Sequence, residues 1–413
     1  MTMRHLFVLL ASVFILFACA PEEKEIYIPK DFQGMDMNDP ESEYSYERMA
    51  LTENFAIFWE KGFGNDLSAP PALEGQDMSV DIENLKEKLE TYYDYFYNTL
   101  GFAKEGSKCD RYRMLVIIRY SLEGTAYGGD YDGQIGALWV TPNRIQDKKL
   151  NCIAHELGHS FQSQITCDGE GEAWGGCGFF EMTSQWMLWQ VNPGWVHDES
   201  YHWDSFTQKC HKAYLHLTNI YHSPYILEHW GEKRGLTHIA ELYRQGKRGE
   251  DPAMTYMRVN GLSQKEFCDE MFEASRRIVN LDYKRAWEET RPYANRFSTK
   301  MTEGEDGWRH VSQDQCPEDY GFNAVALPVP QAGDSVTVGF KGEGHRYGIV
   351  AVCSDGQTIY GKMHEENEGT MSFKTPSDAS LTHLWLVVMG APSEHVMGSE
   401  TQWPYAIKVF TND

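Results

Sequence analysis

The stretch "NCIAHELGHSFQSQ", residues 151–164, constrains this chain more than any other. Cys152, Ile153, Ala154, Leu157 and Phe161 make it largely apolar, and a helix is predicted from about Asp147 to Gln164. On that helix His155 and His159 stand at i and i+4, so both imidazoles leave one face. Polar rings on an apolar helix are costly unless something satisfies them. Gly158 costs about 1 kcal/mol relative to Ala in a helix interior, which makes sense if another element packs close there.

The spacing suits a metal. Two imidazole nitrogens one turn apart can both ligate one Zn²⁺ at about 2.0–2.1 Å. Glu156, one step round the helix, is placed to act on the attacking water as general base and then to pass the proton to the leaving amine. The competing reading is a helix whose histidines are merely satisfied by hydrogen bonds.

A catalytic zinc needs a third protein ligand and one open position. A third histidine in the metzincin pattern would require Gly at 162 and His at 165, where the chain has Gln162 and Ile165. A glutamate from a following helix is the alternative. Glu181 opens "FFEMTSQWMLWQ", where a carboxylate among aromatics is costly unless a cation pairs with it. Glu172, in the loop "DGEGEAWGGCG", is the second candidate.

HExxH followed 22 residues later by Glu resembles the gluzincins, zinc peptidases with two His and one Glu as ligands. "HELGHSFQ" with "FFEMTSQW" looks most like the enhancin and mucin-directed, M60-like, peptidases. The wider arrangement, from "ENFAIFW" through "HELGH" to "GFNAVALPVP" and "QWPYAIKV", resembles a family of bacterial lipoproteins of undefined substrate. The resemblance implies a zincin-like fold with His155, His159 and Glu181 as ligands and Glu156 as base. Thermolysin-like gluzincins carry an Asp four residues past the ligand Glu to orient a ligand histidine. Gln185 stands there in this chain, a weaker acceptor.

Hydrolysis also needs a group to stabilise the oxyanion. Tyr221, His222 and Tyr225 in "TNIYHSPY" are offered for it, with His222 put forward as the catalytic residue. The strand "QIGALWV" (134–140) is a candidate edge for pairing with an extended substrate, or simply core.

With 61 acidic against 37 basic residues the net charge is −24, which argues against a nucleic-acid partner. "LFVLLASVFILF" has signal-peptide length, and "LFAC" resembles a bacterial lipoprotein processing site ending at Cys19. The acidic "PEEKE" that follows resembles the export tag by which gut Bacteroidetes display lipoproteins on the outer surface. Lipidated Cys19 would then anchor the chain to the outer membrane. Of the remaining eight cysteines, Cys167 and Cys177 flank a Gly-rich loop and are the first guess at a disulfide.

The expected organisation is a signal peptide over 1–18, a polar tether over 19–43, a zincin-like domain over 44–305 and a β-sandwich over 306–413. The fold class is α+β. "NFAIFWEKG" (54–62) and "RYRMLVIIRY" (111–120) read as strands, 79–102 as an amphipathic helix, and "GGDYDGQIGALWVTP" (128–142) as loop glycines before a short strand. From Trp203 to about Arg291 the pattern is helical. After 305, short β-rich runs separated by Gly, Pro, Asp and Ser suggest the sandwich. The functional expectation is a cell-surface zinc metallopeptidase acting on proteins or glycoproteins. The alternative is a non-enzymatic lipoprotein that binds glycans or proteins, its zinc site structural or vestigial.

Overall fold

The computed structural model describes residues 23–410, apart from 173 and 175–177. The signal peptide, Cys19 and the proposed Cys167–Cys177 pair therefore lie outside the described residues in whole or in part. The fold is mixed α+β, an N-terminal mixed sheet covered by helices and a C-terminal pair of sheets.

The first sheet takes strands β1 (Glu25–Ile26), β2 (Met49–Leu51), β3 (Phe55–Trp59), β4 (Tyr112–Ile118), β5 (Ala126–Tyr131) and β6 (Ile135–Val140). Its order is β2-β3-β4-β6-β5, with β1 beside the start of β4. β3, β4 and β6 run parallel, and β5 closes the edge antiparallel to β6. Met114 to Ile118 form an unbroken apolar run that is buried on both faces, as an interior parallel strand requires.

Two expectations change here. The described part of the tether is docked on the sheet: β1 pairs with β4, and Phe32 is buried and stacks on Tyr44 with ring centroids 4.6 Å apart. A few apolar anchors in a polar segment suffice, and averaged composition hides them. Second, residues 126–140 are a hairpin, whose turn puts Asp132 and Gly133 at φ 58° and 63°. The glycines taken for a loop lie within β5. A Cβ on Gly128 would come 1.8 Å from the Glu156 carbonyl oxygen, so glycine there lets the strand lie on the helix.

The helices are α1 (Ile82–Asp94), α2 (Lys108–Arg111), α3 (Asn151–Cys167), α4 (Phe179–Val191), α5 (Trp195–Asp198), α6 (Ser200–Lys209), α7 (Tyr225–Arg234), α8 (His238–Gln245), α9 (Pro252–Asn260), α10 (Gln264–Asn280) and α11 (Trp287–Thr290). α1 begins at an Asp81 cap and buries Leu85, Leu89, Tyr92 and Tyr93. α3 lies across β5 and β6 on one side and packs against α4 on the other. Gly158 sits at that second contact: a Cβ there would be 2.8 Å from Ser184 Oγ and 3.3 Å from Ser184 Cα. None of the described helices is long and apolar enough to cross a membrane.

The C-terminal strands are β7 (Met301–Glu303), β8 (Arg309–Val311), β9 (Phe322–Ala326), β10 (Ser335–Gly342), β11 (His345–Cys353), β12 (Thr358–Tyr360), β13 (Glu368–Lys374), β14 (Leu381–Gly390) and β15 (Tyr405–Phe410). They form sheets of order β13-β10-β15-β8-β7 and β12-β11-β14-β9. β14 reads "LWLVVM" because both its faces are covered. Leu384, Leu386 and Val388 face the partner sheet, while Trp385, Val387 and Met389 join the main core with α10. The sandwich is thus welded to the helices. Glu318 also crosses between them, pairing with Lys212 Nζ at 2.6 Å and accepting from the Ala213 amide at 2.9 Å.

Candidate metal centre

α3 presents His155 and His159 on the face turned toward α4, and the close contact at Gly158 and Ser184 brings Glu181, in the first turn of α4, to meet them. His155 Nε2, His159 Nε2 and Glu181 Oε2 form a triangle whose three sides are each 3.2 Å. A tetrahedral centre with bonds of about 2.0–2.1 Å holds its ligand atoms about 3.3–3.4 Å apart, so this triangle fits three corners of a zinc site. The donor set, two imidazoles and one carboxylate, is also one that zinc takes in catalytic sites. Glu156 brings a carboxylate oxygen within 4.8 Å of both ring nitrogens. It borders the same cavity without closing the triangle.

The backs of both rings are held. His155 Nδ1 lies 2.8 Å from Gln185 Oε1, and His159 Nδ1 lies 3.0 Å from Gln162 Oε1. An amide oxygen only accepts, so each Nδ1 carries the proton and each Nε2 offers its lone pair toward Glu181. Burial alone would lower the His159 pKa, but the neighbouring Glu181 carboxylate more than reverses this, and the ring protonates more readily than usual. Burial raises Glu181, and the imidazoles of His155 and His159 outweigh it when they take up a second proton at Nε2, holding the carboxyl well below its ordinary range in the metal-free chain.

The site opens into a cavity of about 380 Å³, bounded by Tyr127 and Gly128 of β5, Phe180 and Tyr221. Tyr221 is 45 % exposed, and its phenol lies in the field of the Glu181 carboxylate. Burial and the carboxylate push its phenol up to about 12, so it remains an O–H donor at neutral pH.

The structure brings His155, Glu156, His159 and Glu181 together. His222 is elsewhere: it does not border the cavity, and its Nδ1 pairs with His202 Nδ1 at 2.7 Å. Burial, then His202, lowers its pKa to about 4. Its neighbour Tyr221 takes the place expected for it, because the turn between 216 and 224 points successive side chains in different directions. Tyr225 is fully buried against Trp189 and Trp203. Glu172 turns away to accept from the Arg248 amide. The candidate substrate edge also shifts, since β6 is interior and β5 is the free edge beside the cavity. Gln162 escaped the sequence reading as anything but a missing glycine; its signal was a second buried amide on the histidine helix.

These features define a helix-borne cluster of two histidines and one carboxylate that could hold a metal ion, in an α+β chain. The chain belongs to a family of unknown function, DUF6055, whose model matches residues 18–412. No curated protein matches it. Among solved structures it is similar to the catalytic module of the metalloprotease ZmpA from Clostridium perfringens, at 12% identity and TM-score 0.34, over 84% of this chain and 69% of that one. It is also similar to a chain from accessory secretory protein 1, 2 and 3 of Streptococcus pneumoniae, at 11% identity and TM-score 0.17, over 28% of this chain and 88% of that one. A third likeness is to a CBM4 structure, at 12% identity and TM-score 0.17, over 27% and 76% of the respective chains. All are remote, and the functional reading rests on the site.

Proposed function

We propose that this protein is a zinc-dependent peptidase acting on proteins or glycoproteins. The observation that carries the reading is the 3.2 Å triangle of His155 Nε2, His159 Nε2 and Glu181 Oε2 at the floor of an open cavity. Zinc held by these three groups would supply Lewis acidity, polarising a carbonyl and bringing the pKa of a water toward neutrality. Glu156 takes the proton from the attacking water and delivers it to the leaving amine. Tyr221, protonated and facing the cavity, donates its O–H to the oxygen that gains charge. The free edge of β5 pairs with an extended substrate, main chain to main chain, and Tyr127 and Phe180 flank the side chains.

On the same reading the chain is an exported lipoprotein, anchored to the outer membrane through Cys19 and displayed at the cell surface. Incorporation of labelled palmitate, lost in Cys19→Ser, tests the anchor. The activity is tested with purified protein on generic and mucin-type substrates. Glu156→Gln should retain one zinc per chain and lose roughly 10²- to 10⁴-fold in turnover. Unchanged turnover in that variant overturns the mechanism.

A further inference from the structure

We infer that Gln185 and Gln162 are paired positioning residues, each of which must be an amide because it works in two directions at once. This rests on the zinc reading above and extends it to two residues that act through the histidines rather than on the metal, Gln162 at the cavity wall and Gln185 behind it.

Each amide oxygen accepts from a histidine Nδ1–H, while each amide nitrogen points the other way. Gln185 Nε2 donates to the Tyr221 carbonyl at 3.0 Å, and Gln162 Nε2 donates to the Phe180 carbonyl at 3.0 Å. A backbone carbonyl only accepts, so these contacts fix which end of each amide is oxygen. The orientation of the amide then fixes the tautomer of the ring, without any charge behind it. The second hydrogen of Gln162 reaches Ser184 Oγ at 3.2 Å, and that of Gln185 faces His202 Nε2 at 3.3 Å. Both side chains are almost wholly buried, at 3 % and 4 % exposure, so these partners are not exchanged for water.

The far ends are not arbitrary. Phe180 precedes the proposed ligand Glu181, and Tyr221 borders the same cavity as Glu181. Each glutamine therefore ties a histidine of α3 to the backbone of the element that completes the site. A carboxylate, the commoner partner of a metal-bound histidine, would accept from Nδ1–H equally well but could not donate to the carbonyl. That accounts for glutamine at 185 where a thermolysin-like pattern has an acid.

The test uses the full mature chain, with zinc affinity read by competition against a chromophoric chelator and backbone order read by hydrogen exchange over 211–224. Gln185→Leu removes both directions and should weaken zinc binding roughly ten- to a hundredfold. Gln185→Glu restores the acceptor alone: zinc affinity should return to within about threefold of wild type, while exchange across 211–224 stays as fast as in the leucine variant. The inference is overturned if Gln185→Leu binds zinc like wild type, if Gln185→Glu binds it as weakly as leucine, or if Gln185→Glu leaves exchange unchanged. Should Gln185→Leu not fold, Gln185→Glu still decides through its split between affinity and exchange. Gln162→Glu should show the same split, with exchange read at the start of α4. A folded wild type that binds no zinc removes the zinc reading itself, whereas zinc-binding wild type with indifferent glutamine variants removes only this inference.

Discussion

Among the described residues, two places gather histidine and glutamate within metal-binding distance, and their chemistry is opposite. His155, Glu156 and His159 form one such group, with Glu181 closing it; His216, Glu318 and Glu400 form the other, where the helical part meets the sandwich. In the first, each ring donates backward to an amide oxygen and turns a lone pair toward the cluster. In the second, His216 Nδ1 receives the Thr218 amide at 3.1 Å, so the proton sits on Nε2 and faces Glu400 Oε1 at 3.6 Å. Glu318 is already taken by Lys212 and the Ala213 amide. The groups resemble each other in composition, but only the first leaves its donor atoms free. What stands behind an imidazole decides whether it can hold a metal.

The largest test of this contrast is Glu181→Ala. Zinc should fall from one per chain to well below one in a dialysed sample, since one of three protein ligands is lost; full retention would mean a different third ligand. Next, Gly158→Val should drive α4 away from α3 and cost about 1–3 kcal/mol by overpacking, read as a lower Tm and weaker zinc binding together. A melting curve unchanged by valine would show that the close approach is not needed.

A third expectation is pH-dependent, with opposite signs for the two forms of the protein. Glu181 raises the His159 pKa in the metal-free chain. That contribution to stability is present below the ordinary histidine value of about 6.5 and is lost as pH rises through the raised value. Zinc must displace the same proton, so its affinity should fall as pH drops through that raised value, already above 6.5. A pH series of zinc titrations and of chelator-treated melts measures both trends; trends of the same sign would contradict the assignment. The smallest expected effect is His216→Ala, which should leave zinc at one per chain. A loss of zinc there would erase the distinction between the clusters.

The histidine helix was legible because HExxH puts ligands and base on known faces of one local structure, and Glu181 because a carboxylate among aromatics is anomalous wherever the chain carries it. The same is true of β4, whose apolar run admits only an interior strand, and of β14, covered on both sides. Legibility failed where meaning depends on a distant neighbour. Gly128 and Gly129 look like a loop until α3 is laid across them. Residues 25–43 look like a tether until Phe32 finds Tyr44. Tyr221 and His222 are adjacent in sequence, and only the path of the turn sends one to the cavity and the other to His202.

By itself, then, the sequence singled out His155, Glu156, His159 and Glu181, which the fold brings together, and the α+β character, because helical periodicity and the cost of burying charge act locally. The tertiary structure decided which tyrosine faces the cavity, which strand is the free edge, and why glutamines back both rings. Apart from the local pairing of Gln162 with His159 on α3, those follow from partners roughly twenty to forty residues apart, which become neighbours only when α3, α4 and the 211–224 segment pack together.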